Sequence, residues 1–364
     1  MTDATTERTP VLVGRRLDGW LTGWFAVALW VVAWLARQRG SSFVDLGVPW
    51  YWPATALTAA HFGMSYHLAY GGGRTALARR PIALVAAPAI LALTLVGVIV
   101  LAVARGGNSV RTVSAQAVFL VFAITTWHYI KQAYGVVRIG ARNAGIRLSA
   151  GEANVLRYGL YPLWFIGSAK VLSSGVYVHY AGLDITHRVL PQTATTVARV
   201  IGGGCALVIV GCIVRVAFRH HVRPPSTMLA PNIAAFVWLL LPVDPVSVTI
   251  GLGAMHALQY LACCHRAHLT RSPQRRPFAR WVEIFGGAAC AGLLLTLWLP
   301  SWLDRQLSIE GVPFLATAAL FVFLNLHHYM IDAVIWRSKG DIVRAMVRGP
   351  AASPPAVLSP AGSR

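Results

Sequence analysis

The chain has 364 residues, 56% of them hydrophobic and only 12% charged, with a net charge of +20. Soluble domains carry about 25% charged residues, so this composition excludes an ordinary water-soluble fold and points to a polytopic membrane protein. The positive charge does not indicate a nucleic-acid binder: the arginines sit in short loops between apolar runs, where positive-inside bias and anionic lipid account for them.

Taken in chain order, residues 1–18 are a polar cytoplasmic lead-in, "MTDATTERTPVLVGRRLD". No short apolar region with an A-x-A cleavage site follows, so the first apolar run reads as an uncleaved span. Residues 19–337 read as an all-α transmembrane helix bundle of about ten spans of roughly bilayer length. They fall near 19–37, 53–70, 82–104, 113–137, 156–177, 194–217, 227–243, 247–265, 281–300 and 313–336. The seventh and eighth are separated only by "LPVDPVS", read as a tight external turn. The basic segment 138–157 is either an interfacial helix or a solvated loop. Residues 338–364 form a cytoplasmic tail whose Pro/Ala/Ser-rich end predicts disorder.

Arginines cluster before the first span and after each even-numbered one, while the intervening loops are poor in Lys and Arg. Both termini are therefore predicted to be cytoplasmic. Of the basic residues only Lys131, Lys170 and Lys339 are lysines. That arginine excess suggests a GC-rich genome and hence a multi-pass protein of a bacterial plasma membrane. Cys205, Cys212, Cys263, Cys264 and Cys290 lie in or near apolar spans without CxxC spacing. They read as small buried residues and not as a disulfide framework or a thiolate zinc site.

The within-span histidines fall on even-numbered, co-directional spans: His61, His128, His256, and the pair His327 and His328. Ten residues separate His128 from Arg138, His256 from Arg266 and His327 from Arg337; nine separate His328 from Arg337, and thirteen separate His61 from Arg74. Ten residues of helix is about 15 Å, so five imidazoles are predicted at nearly one depth. One turn further along stand Ser65, Gln132, Gln259 and Asp332, each on its histidine's face. Metal-bound histidine usually donates its second ring N–H to such a partner. Tyr66, Tyr129, Tyr260 and Tyr329 cluster nearby. "WHYIKQAYGVVR" and "HHYMIDAVIWR" also resemble each other, as an old duplication of a two-helix unit would leave them.

A lone intramembrane histidine is readily explained by an interhelical hydrogen bond. Five at one depth with aligned polar supports point instead to a shared site. The candidate metal ligands are His61, His128, His256, His327, His328 and Asp332, with Gln132, Gln259 and Ser65 completing or orienting the shell. Tyr129 and Tyr329 are candidate proton or hydrogen-bond donors, and the mid-span Lys170 is a further candidate for the site. His67 is read as a ligand or an interface residue, Lys131 as snorkelling inward, and His220, His221, His265 and His268 as solvated interface. Histidines with one carboxylate suit Fe(II) with positions open to O₂; zinc, copper and haem are the alternatives. Two b-haems would need histidines at two depths, against the single layer.

This layout of His61, His128, His256 and His327/His328 resembles the Brp/Blh group of membrane carotenoid dioxygenases. The resemblance implies a polytopic fold, iron held by a few helix-borne histidines, and a lipophilic substrate. The chain departs from that group at one point: where the group has histidines four residues apart, His328 is followed by Asp332. The fatty-acid desaturases and hydroxylases are less similar, since their HxxxH and HxxHH boxes are absent. The expectation is a membrane-embedded iron enzyme that oxidises or cleaves a lipophilic molecule arriving from the bilayer, with an electron donor where the chemistry needs one. The alternatives are a metal-ion or proton transporter and a haem-binding electron carrier.

Overall fold

The computed structural model describes residues 11–41, 51–173, 179–180, 183–184, 191–243, 245–271, 277–307, 314–337 and 340–348. Among them the regular elements are helical, apart from a short antiparallel pairing of His179–Tyr180 with Leu183–Asp184. The helices are α1 (Arg15–Gly19), α2 (Phe25–Gln38), α3 (Tyr51–Tyr70), α4 (Gly73–Arg79), α5 (Ala87–Ala104) and α6 (Gly107–Asn143). They continue with α7 (Ala150–Tyr158), α8 (Tyr161–Ser173), α9 (Gln192–Arg219), α10 (Ser226–Leu240) and α11 (Pro245–Arg271). The last are α12 (Pro277–Leu293), α13 (Leu299–Leu307), α14 (Leu315–Ile335) and α15 (Asp341–Arg348). π-helical turns at Trp20–Trp24, Ile82–Ala86 and Leu294–Trp298 join or extend these helices.

Six helices are long and apolar enough to cross a membrane: Arg16–Gln38, Ile82–Ala104, Gly107–Asn143, Gln192–Arg219, Ala279–Leu307 and Leu315–Ile335. The six do not include α3 and α11, which carry His61 and His256; in α3, His61, Ser65 and His67 interrupt the apolar run. Large apolar side chains face outward on the most hydropathic helices, Leu93 at 73% exposure and Leu207 at 76%. Such surface is costly in water and fits hydrocarbon, so the chain reads as a membrane protein.

The expected boundaries shift in two places. The fourth span is a 37-residue helix, about 55 Å long. It exceeds a ~30 Å hydrocarbon core and carries residues 138–143 of the basic segment. The fifth is interrupted: α7 ends at Tyr158 and α8 begins at Tyr161, with Pro162 at a helix start, where the ring is tolerated. The rest of the basic segment turns at Gly145, φ +72°, and enters α7 through a capping box. There the Ser149 side chain accepts from the Glu152 N–H while Glu152 accepts from the Ser149 N–H.

The largest core lies among α2, α6, α8, α9, α10 and α11 and holds Leu163, Ile209, Ile213, Met228 and Trp238. The Trp238 indole donates to the Ala26 carbonyl at 2.8 Å. On the other side α3 packs closely on α12. A Cβ on Gly63 would meet the Ala288 carbonyl, and one on Gly292 would meet the Ala59 carbonyl. Two A-xxx-G stripes thus face each other, the small-residue packing typical of membrane helices. Four helices close a ring around the site: α3 and α6 each pack on both α11 and α14.

Candidate metal centre

Each helix of that ring contributes one imidazole. The ring centroids lie 4.5 Å apart for His61–His256, 4.7 Å for His256–His128, 5.0 Å for His128–His328 and 4.5 Å for His328–His61. The four rings form a closed quadrilateral, and all four residues are buried. His328 Nε2 is the focal atom. It lies 2.9 Å from His61 Nε2, 3.2 Å from His128 Nε2 and 3.3 Å from Asp332 Oδ2. His128 Nε2 stands 3.6 Å from the same Asp332 oxygen.

Two ligand groups result, His61/His256/His328 and His128/His328/Asp332, each with its donor atoms within 4.8 Å of one another. Neighbouring ligands on an ion with ~2.05 Å metal–nitrogen bonds lie roughly 2.9–3.4 Å apart. The first three contacts fall in that range and the last is slightly longer. The described residues therefore include histidine and aspartate groups able to hold a metal ion. Their buried positions agree with the sequence expectation, since ionisable groups in a bilayer need one another or an ion.

The carboxylate is divided between two tasks. Tyr260 O–H donates to Asp332 Oδ1 at 3.1 Å, which leaves Oδ2 turned to His128 and His328. The Tyr260 ring stacks on His61, centroids 4.3 Å apart and 11° between planes. Tyr329 stacks on His128 at 4.3 Å and shares a 2.8 Å hydrogen bond with Thr125. Tyr129 lies against His256 at 4.6 Å.

Several predicted residues stand elsewhere than the spacing suggested. His327 does not join the quadrilateral: its Nδ1 meets the Tyr66 hydroxyl at 2.9 Å and its Nε2 the Tyr70 hydroxyl at 3.3 Å. Gln132 and Gln259 brace backbones and make no contact with the ring nitrogens. Gln132 Nε2 donates to the His256 carbonyl at 2.7 Å and to Gln259 Oε1 at 3.2 Å. Gln259 Nε2 donates to the Thr22 carbonyl at 2.7 Å, within the first π-helical turn. Ser65 Oγ donates to its own helix at the His61 carbonyl. The partners one turn away do not take the free ring N–H groups, and Nδ1 of His256 and of His328 has no hydrogen-bond partner among the described residues.

Lys170 is not brought to the histidines. Its Nζ donates to the Trp238 and Leu241 carbonyls at 3.2 and 2.8 Å, satisfying the C-terminal end of α10. Sequence reasoning gave no role to Tyr70 or Thr22, and none of its own to Tyr260 beyond the tyrosine cluster. The i+4 step from His256 to Tyr260 was the available signal.

The quadrilateral opens onto a cavity of about 340 Å³. His61, His128, His256 and His328 form part of its wall, and Phe62, Phe122, Leu252, Leu295, Leu320 and Phe321 are among its apolar lining. Tyr129, Tyr329, Thr125 and Asn325 supply polar groups close to the histidines. No protein-family model, curated protein or solved structure matches the chain.

Proposed function

We propose that the protein is an integral membrane metalloenzyme of a bacterial plasma membrane, with about ten spans and both termini cytoplasmic, acting on a lipophilic substrate. The observation that carries this reading is the junction of His61, His128, His256, His328 and Asp332 with an apolar cavity of about 340 Å³, a volume suited to a small organic molecule.

Both groups of three draw on His328, whose Nε2 has a single lone pair, so one ion at one of the two groups fits better than an ion at each. The group His128/His328/Asp332 is two histidines with one carboxylate, the set that suits Fe(II) with positions open to O₂. Haem fits less well, because the Nε2 atoms of His61 and His328 stand 2.9 Å apart, too close for a macrocycle to pass between. The bound metal would supply O₂ activation. Asp332 and the histidines would hold it, the apolar wall would keep water from the substrate, and the hydroxyls of Tyr129 and Tyr329 offer protons at the cavity surface. Cleavage of a carbon–carbon double bond into two carbonyls takes both oxygen atoms and needs no external electrons. Hydroxylation takes one oxygen and needs two electrons and two protons from a donor. The resemblance to the carotenoid dioxygenase group favours the first.

Metal analysis tests the reading. Protein loaded anaerobically with Fe(II) is expected to retain about one equivalent, and His128→Ala and His328→Ala to retain almost none. Wild-type protein that holds no metal under any loading condition would sink the proposal. A metal transporter is the second reading, favoured by one observation: His128 and Tyr329 line two cavities, one drawing mainly on the preceding and the other on the following residues of their helices. Metal flux into proteoliposomes would select it.

A further inference from the structure

The second of those cavities, about 360 Å³, differs in chemistry from the first. On α6, α11 and α14 the first is lined by the histidine and mainly by residues that precede it, the second mainly by residues that follow it. Its inner end is formed by His128, Tyr260, Tyr329 and Asp332. Its remaining wall carries four cations, Lys131, Arg138 and Arg142 from α6 and Arg157 from α7.

Among the described residues these charges have no carboxylate partner. Asp332 is the one carboxylate in the lining, and it is taken by Tyr260 and the imidazoles. The cations' neighbours are aromatic instead. Lys131 Nζ stands 4.1 Å from the Trp127 ring centroid, Arg138 donates to the Tyr134 hydroxyl at 2.9 Å, and Arg157 lies over Tyr158. Glu152, the acid nearest in sequence, is occupied by Arg219.

Positive-inside bias explains basic residues in loops. It does not explain three on one stretch of a single helix, joined by a fourth from another, around one partly open cavity. Low-dielectric walls focus the field of such a group and concentrate anions within it. Guanidinium forks match the oxygens of phosphate and carboxylate, and Tyr134, which accepts from Arg138, keeps its own proton to donate. We propose that this cavity binds an oxyanion group, phosphate or carboxylate, held by Lys131, Arg138, Arg142 and Arg157 beside the His128/Asp332 edge of the histidine site. The group belongs either to a phospholipid head or to a small soluble anion.

The test uses the full chain in nanodiscs. In neutral phosphatidylcholine discs, radiolabelled inorganic phosphate and succinate are titrated by equilibrium dialysis. In parallel, discs containing phosphatidylglycerol are assayed for lipid retained on the protein by native mass spectrometry. Stoichiometric, saturable binding is expected in at least one arm. A soluble probe alone assigns a soluble anion, and retained phosphatidylglycerol alone assigns a headgroup. Arg142→Gln with Arg157→Gln is expected to weaken that binding by about tenfold or more, as the loss of charge-assisted hydrogen bonds implies. Arg74→Gln with Arg79→Gln removes the same charge from exposed positions on α4 and leaves binding intact. The exposed Arg157→Gln alone guards against a folding defect in the double variant. The proposal is overturned if neither arm shows saturable binding, or if both double variants lose it equally. Metal content measured on the same samples keeps this outcome separate from that of the histidine site.

Discussion

His327 and His328 are consecutive, and an α-helix turns consecutive side chains about 100° apart, so the two rings cannot meet one point. His328 faces the other histidines, while His327 faces Tyr66 and Tyr70. His328→Ala is therefore expected to abolish metal retention, whereas His327→Phe, which keeps an aromatic ring of similar bulk, retains metal close to the wild-type level. Elemental analysis of the two purified variants checks the contrast, and equal loss in both would place His327 among the ligands. Asp332→Asn removes the charge of a ligand while leaving the Tyr260 contact an acceptor, and is expected to lower metal affinity by at least the ~10- to 100-fold that follows loss of a ligand's supporting group. Competition with a chelator of known affinity measures it. Counting residues from the loop arginines put His128, His256 and His328 at one depth, and the i+4 step from His328 pointed to the carboxylate. It did not resolve direction, because equal depth leaves the rotation of each helix open. That is why Gln132, Gln259 and Ser65 share the histidines' faces yet reach for carbonyls, and why Lys170, though mid-span, serves the end of α10.

Six helices were legible from apolar length, because a bilayer demands it; α3 and α11, which carry His61 and His256, are not among them. Helix continuity was less so, since a Pro near residue 162 reads equally as a start or a kink. Two contacts between elements carry predictions. The α3–α12 seam depends on bare Cα atoms at Gly63 and Gly292, which approach carbonyls that cannot rotate away. Gly63→Val is expected to separate the helices, with an overpacking cost of at least about 1–3 kcal/mol, and to displace His61, two residues earlier. A lower thermal midpoint in detergent together with reduced metal content is the expected result; an unchanged midpoint would contradict the close approach. At the other end of the molecule, Glu152 ties α7 to α9 through Arg219 at 2.6 and 3.0 Å. Burial pushes its carboxyl up, but the Ser149 N–H, Arg219 and the Ser149 hydroxyl outweigh burial and hold it below the ordinary carboxylate range. A depressed value means this stabilisation is present above the unfolded value of about 4.3 and is lost as pH falls through the folded one. Glu152→Gln is expected to cost about 1–2 kcal/mol at pH 7 and to flatten the stability profile below about pH 4.3. Thermal scans at a series of pH values read both effects.

At the scale of the whole molecule, the histidine quadrilateral stands between an apolar chamber and a basic one, and α6, α11 and α14 line both. The chambers were hidden in the sequence because they are lined from several helices at once, and no single segment announces them. The proposed chemistry requires that the apolar chamber, and not the ion alone, admits the substrate. Ala254 offers a direct test. It lines that chamber, is 5% exposed, and sits two residues before His256 on α11. Ala254→Phe projects a ring into the chamber while leaving all five donor side chains in place. An aromatic side chain takes up much of the space a small hydrophobic ligand would use. The variant is expected to bind metal like the wild type and to lose most of its affinity for a long-chain polyene, read as quenching of intrinsic tryptophan fluorescence. Retained polyene binding with intact metal would mean that lipophilic molecules reach the ion by another route. Loss of both together would show only that α11 has shifted, and Ala254→Leu, with less bulk, separates that case.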